Sequence, residues 1–172
     1  MGFFDFFKKK IKAKKAFTHD KGQRQWDGAY EAFCEKNDVD ELTEEQEEKI
    51  WRYACSHITY FITWAIRRNF FYIQIEEDTE KVKEIREGKG NPTDFVIESL
   101  DCQFARDDLK EEIYDFIDEY YDSKYLEDYC KFVEETLNKE IYEIEFDWKD
   151  YPMFEKMMDE NYKKYKESLI EE

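Results

Sequence analysis

Histidine is the side chain that most readily moves protons near neutral pH, and this chain has two, His19 and His57. A Ser/His/Asp or Cys/His mechanism needs a nucleophile and an orienting group beside the base. No pattern around His57 identifies either, and the residue stands in the most apolar stretch of the sequence, so it reads as a hydrogen-bonded core histidine. Four cysteines, Cys34, Cys55, Cys102 and Cys130, contain no C-x-x-C pair and fall short of zinc-ligand spacing even with both histidines added. They read as buried free thiols of a reducing, cytoplasmic compartment. Asp101, Asp107, Asp108, Glu111 and Glu112 are sharper candidates. Acids three and four apart share a helix face and could converge on a divalent ion, as in two-metal hydrolases. The same acids also suit the solvated side of a polar helix, with Asp107 or Asp108 as its N-cap. That simpler reading requires no metal, so no catalytic residue, metal or cofactor is assigned. A phosphate-cradling glycine loop, H-E-x-x-H, D-x-D-x-D-G and G-x-S-x-G are all absent from the sequence.

What remains is docking chemistry. Asp115, Asp118, Glu119, Tyr121 and Asp122, joined by Tyr125 and Asp128, combine carboxylates that steer a basic partner with rings of the kind that dominate contact energy. The alternative is that the tyrosines are half-buried packing and the acids keep the protein in solution. Charge bears on the choice: 27 Lys and Arg against 44 Asp and Glu give −17 over 172 residues. Met1 to Phe17 holds six lysines and one acid, a local sum of +5, which leaves −22 for the remainder. Such a body is repelled by phosphates, so direct nucleic acid binding is disfavoured and a basic protein partner favoured. An aromatic content of 19% separates the chain from disordered polyanions, which are poor in such residues. No apolar run approaches the roughly 18 residues of a bilayer span.

These side chains need a scaffold, and the periodicity predicts a mainly α, single-domain helical bundle. Residues 1–17 form a basic amphipathic N-terminal segment, with Phe3, Phe4, Phe7, Ile11 and Phe17 on one side. It suits weak contact with an anionic membrane surface, docking on the acidic body, or fraying. Phe6 stands where a myristoylation signal requires Ser or Thr. Residues 18–172 form the acidic helical domain. After a polar break from His19 to Gln25, Trp26, Tyr30 and Phe33 predict a helix ending near Asn37. Thr43 and Gln46 make a capping box opening a central apolar helix over about 43–72. A surface helix follows from Glu77 to Glu87, then a short one capped by Thr93. From Asp107, Leu109, Ile113, Phe116, Ile117 and Tyr120 make an inward stripe, and Ser123 restarts a helix. Ile141 to Phe146 alternate with period two, giving at most a small hairpin or edge strand near 141–147. A last helix carries Phe154, Met157, Met158, Tyr162 and Tyr165.

Several segments in order carry a resemblance. They are Ile58 to Arg68 preceded by His57; Thr93-Asp94-Phe95 leading to Asp101, Phe104 and Asp108-Leu109; Tyr120-Tyr121; Tyr125 to Tyr129; and Asp147 to Tyr151. Over roughly Trp26 to Tyr165 the chain resembles an uncharacterised bacterial domain family of the polymorphic-toxin immunity-protein type. Cys102 departs from the glycine expected there, and the acidic linker from Asp38 to Glu48 is atypical. The resemblance implies a binding role and transfers no catalytic residue. The expectation is therefore a non-enzymatic, cytoplasmic immunity-type protein that neutralises a basic toxin or other protein by occlusion. A nucleic-acid-mimicking inhibitor and a metal-dependent hydrolase are the alternatives.

Overall fold

The computed structural model describes residues 18–170, so the amphipathic segment expected over 1–17 lies outside the described residues. Within them the architecture is mainly α, with a small two-stranded antiparallel sheet. Helices α1 (Gln23–Asn37) and α2 (Glu44–Ala54) pack on each other around Ala29, Phe33, Ile50 and Ala54. The expected capping box opens α2. Thr43 Oγ1 accepts the Gln46 amide at 3.3 Å, and the Gln46 side chain accepts the Thr43 amide at 2.9 Å.

The helix expected over about 43–72 is divided. Cys55 (φ −93°, ψ −2°) interrupts it, and α3 (Ser56–Arg67) runs on through the centre with every residue from Ser56 to Ile66 buried. The two parts have different burial demands: α2 keeps a polar face in water, whereas the stretch after Cys55 has none to offer. A break lets each part follow its own face. Helix α3 stops at Arg67, after which Asn69 adopts φ 62° and the Phe70 amide donates to Ala65 O at 2.7 Å.

Around α3 lie α4 (Thr79–Arg86), α5 (Pro92–Leu100), the helical run α6 (114–136) and α7 (Tyr151–Ser168). Asn91, not Thr93, caps α5 by accepting the Asp94 amide at 3.2 Å, with Pro92 in the first turn. Helix α5 closes through two successive left-handed residues, Asp101 (φ 55°) and Cys102 (φ 52°), and the Cys102 amide returns to Val96 O. Cys102 thus holds with a side chain the backbone conformation that favours glycine.

The helix expected from Asp107 begins later, because Arg106–Asp108 and Glu111–Ile113 are separate 3-10 turns. Helix α6 then runs without a restart at Ser123: α over Tyr114–Phe116, π over Ile117–Tyr125, α over Leu126–Lys131 and π over Phe132–Thr136. The expected inward stripe of Leu109, Ile113, Phe116, Ile117 and Tyr120 is buried throughout, with Leu109 and Ile113 lying before α6 begins. The strand candidate near 141–147 is instead a 3-10 turn, Ile141–Glu143, followed by extended chain, of which only Ile144 is fully buried. The sheet forms elsewhere, between β1 (Thr18–Lys21), which overlaps the expected polar break, and β2 (Gln103–Ala105).

Candidate functional site

Successive residues of a regular strand face opposite ways, yet His19 and Asp20 of β1 are both buried. The register explains this. Thr18 pairs with Ala105 and Asp20 with Phe104, so an irregularity between them leaves His19 as the extra residue. Such a bulge re-aims side chains, and here it turns both members of the pair toward α6.

Asp20 is the hub of a buried polar network. Its Oδ2 accepts from Nε2 of His57 at 3.0 Å and from the Tyr121 hydroxyl at 2.8 Å, while Oδ1 accepts the Lys21 amide at 2.7 Å. Burial pulls the carboxyl's pKa up, but the hydrogen bond and charge of His57, with the bonds from Tyr121 and Lys21, outweigh it and hold Asp20 below the ordinary aspartate value. An ionised carboxylate has no proton to give, so Nε2 of His57 carries the shared one. His57 is 3% exposed, so the imidazole is sealed inside the fold as a satisfied core histidine. Cys55 and Cys102 lie beneath the end of β1. Burial, followed by the hydrogen bond to Cys102, pushes the Cys55 thiol well up. A Cβ at Gly22 would stand 2.5 Å from Cys55 Sγ and 3.3 Å from Cys102 Cβ, so the chain approaches these thiols only because residue 22 has no side chain.

Tyr121, Tyr125 and Tyr129 form a ladder along α6 that grips β1 and the first turn of α3. Their hydroxyls donate to Asp20 Oδ2, to His57 O at 2.5 Å and to Ser56 Oγ at 2.9 Å. Tyr121 and Tyr125 stack with ring centroids 4.4 Å apart. This corrects the docking face expected from sequence: Tyr121 (7% exposed) and Tyr125 (0%) belong to the core, where no partner touches them. Asp128 also leaves that face, because it accepts from the Tyr120 hydroxyl at 2.9 Å and from Asn161 at 3.3 Å, tying α6 to α7.

The remaining four expected residues do share an exposed face. Asp115, Asp118, Glu119 and Asp122 are all solvent-facing on α6. Asp118 pairs with Nη2 of Arg106 at 3.1 Å and lies 3.7 Å from His19 Nε2; Asp122 lies 3.6 Å from His19 Nδ1. Asp115 and Glu119 pair with no cation among the described residues. Beside Glu119, a groove of about 300 Å³ opens between α6 and α7, with Phe116, Tyr120 and Tyr165 among its lining and Lys124 and Lys164 at its edge.

The five acids weighed as a two-metal centre do not converge. Asp108 is buried and its carboxylate is engaged by the Ala105 amide at 2.7 Å and the Gln74 side chain at 3.1 Å, while Glu111 and Glu112 face solvent. Among the described residues, the group of metal-ligating side chains that does come together is His19, Asp118 and Asp122. Sequence reasoning weighed His19 only beside the cysteines as a zinc ligand and passed over Asp20, because both fall in a polar stretch with no strand periodicity.

No helix among the described residues is long and apolar enough to cross a membrane. No curated protein and no solved structure matches the chain. Residues 28–144, well over half of the sequence, match the family model described as domain of unknown function DUF7832, a span that includes α3 and α6 but neither β1 nor α7. The chain therefore belongs to the DUF7832 family.

Proposed function

We propose that this protein is a non-enzymatic, immunity-type binding protein that captures and neutralises a basic protein, docking it on the anionic outer face of α6. The observation that carries the reading is the row Asp115, Asp118, Glu119 and Asp122, exposed on a helix whose opposite side is anchored by a hydroxyl ladder. A row of carboxylates carried on a firmly anchored helix steers an oppositely charged partner and fixes its register. Most of the described lysines and arginines are already engaged by carboxylates, as Arg52 is by Asp94 and Glu145 and Arg68 by Glu155 and Asp159, which leaves the acid surplus facing water. The aromatic component of the contact comes from the partly exposed Tyr165 in the groove beside Glu119, with Phe116 and Tyr120 as the buried floor, rather than from Tyr121 and Tyr125. The four free thiols are in keeping with action in a reducing cytoplasm.

The product of the adjacent gene is the first partner to test, followed by basic proteins captured on the full chain at low salt and then purified. Asp115→Lys with Glu119→Lys is expected to slow association about tenfold at low ionic strength, with the difference shrinking at high salt as the field is screened. An unchanged on-rate at low salt overturns the reading. Displacement of the partner by duplex DNA would favour nucleic acid mimicry instead.

A further inference from the structure

At the edge of the α6 face, elements distant in sequence bring three metal-ligating side chains together. One donor atom each from His19, Asp118 and Asp122 lies within 4.8 Å of the others. We propose that these residues form a binding site for a single divalent first-row transition-metal ion, with Arg106 as a positioning residue.

The donors are unequal in a way that suits such a site. His19 is held rigidly, its side chain only 3% exposed and its ring packed between Phe104 (centroids 5.7 Å) and Tyr121 (6.3 Å). Asp118 and Asp122 project from one turn of the π stretch and are 46% and 53% exposed, free to swing toward an ion. Arg106 bonds the second oxygen of Asp118 at 3.1 Å and is itself set over the Tyr114 ring at 4.3 Å, so the other oxygen is left facing His19. Partners of this kind orient ligands and tune metal affinity.

Two carboxylates neutralise a divalent charge and the imidazole adds a nitrogen donor. That mixture selects zinc, manganese, iron or cobalt over calcium and magnesium, which take oxygen donors throughout. An ion on the Nε2 lone pair, with metal–ligand bonds of about 2.0–2.2 Å, requires Asp118 to move inward by about an ångström and Asp122, which lies nearest Nδ1 at 3.6 Å, to swing round to the Nε2 side, shifts that half-exposed side chains accommodate. Three protein ligands on one side leave the remaining positions to water. A bound ion would tie β1 to α6 and consume the charge of Asp118 and Asp122 while leaving Asp115 and Glu119 free. The site stands without any protein partner, so failure of the docking reading leaves it intact.

The test is direct titration of the full chain, stripped with chelator and desalted, with cobalt(II) followed by visible absorption and with zinc(II) by calorimetry. One ion per chain is expected in the micromolar range or tighter, zinc displacing cobalt and excess magnesium displacing neither. Asp118→Asn and Asp122→Asn are expected to weaken binding at least tenfold, and zinc to raise the melting temperature of the parent chain but not of the double variant. Asp115→Asn with Glu119→Asn is expected to bind as the parent does. Both ligand substitutions are at exposed positions, so the result does not depend on whether a His19 variant folds. Absence of stoichiometric binding of zinc, cobalt or manganese overturns the proposal, as does binding that survives Asp118→Asn with Asp122→Asn.

Discussion

Replacing Asp20 with alanine removes the acceptor of two buried donors at once. His57 Nε2 and the Tyr121 hydroxyl both point at Oδ2, and their residues are 3% and 7% exposed, so neither donor finds bulk water in exchange. A buried donor left without its partner costs about 1–3 kcal/mol, and the two share one acceptor, so their losses overlap rather than simply add. The expected destabilisation is roughly 2–4 kcal/mol, below the sum of two full penalties. At about 2–4 °C per kcal/mol for a chain of this size, the melting temperature should fall by about 10 °C. Asp20→Asn tests the role of charge separately. An amide oxygen still accepts, but its NH₂ would face the Lys21 amide and the Arg24 guanidinium, both donors, so a loss of about 1–2 kcal/mol is expected. Urea unfolding followed by tryptophan fluorescence and far-ultraviolet circular dichroism measures both variants, with the double-mutant cycle Asp20→Asn and Tyr121→Phe giving the coupling. Should Asp20→Ala unfold within 1 kcal/mol of the parent, with an unchanged m-value, the hub is hydrated in solution and its role as a dry anchor for β1 is refuted.

Two further outcomes follow from the packing. Burial raises the Asp159 carboxyl, but hydrogen bonds from Arg68 and Trp64 hold it below its ordinary value of 3.8, so the stability it adds is full above that value and lost as pH falls through the lower folded one. Its carboxylate is 40% exposed and screened, so about 1 kcal/mol or less is at stake; urea midpoints between about pH 5 and pH 2 should fall more steeply for the parent than for Asp159→Asn, and parallel slopes would contradict this. Gly28 sits inside α1, where alanine ordinarily gains about 1 kcal/mol. A Cβ there would stand 2.7 Å from the Tyr142 ring, whose hydroxyl donates to Gln25, so Gly28→Ala should destabilise by about 1–2 kcal/mol in the parent but stabilise in a Tyr142→Ala background. The same sign in both backgrounds would show that the ring is not the obstacle.

Features with local causes were legible in the sequence. The Thr43–Gln46 box needs only residues three apart, and the outward acids of α6 and its inward stripe follow from periodicity. The break at Cys55 was not legible, because continuous apolar character reads the same on a straight helix and on one that turns into a core. Period-two alternation at 141–147 misled because it describes one half of a pair, and this segment has no strand beside it. The strands that do pair are four and three residues long and more than 80 positions apart, too short for any pattern and joined only by the tertiary fold. Tyr121 and Tyr125 were misplaced for a geometric reason. At 3.6 residues per turn, a step of four advances about 40° round the axis, which carries successive tyrosines from the buried side toward the surface. The wider π turn cancels that drift and keeps the ladder inward.

The widened turns also give length a meaning along α6 that residue identity alone does not have. A π segment arises where a helix carries surplus backbone relative to its α-helical neighbours, and here that surplus brings the phenols in line with α3 while Asp118 and Asp122 stay abreast of His19. Excising one residue between Ile117 and Tyr125 would leave a helix with better backbone geometry and a domain whose inner and outer registers no longer agree. Drift by deletion is thus closed to this helix, and homologues should hold this spacing constant even where residues off the Asp115–Asp122 row differ.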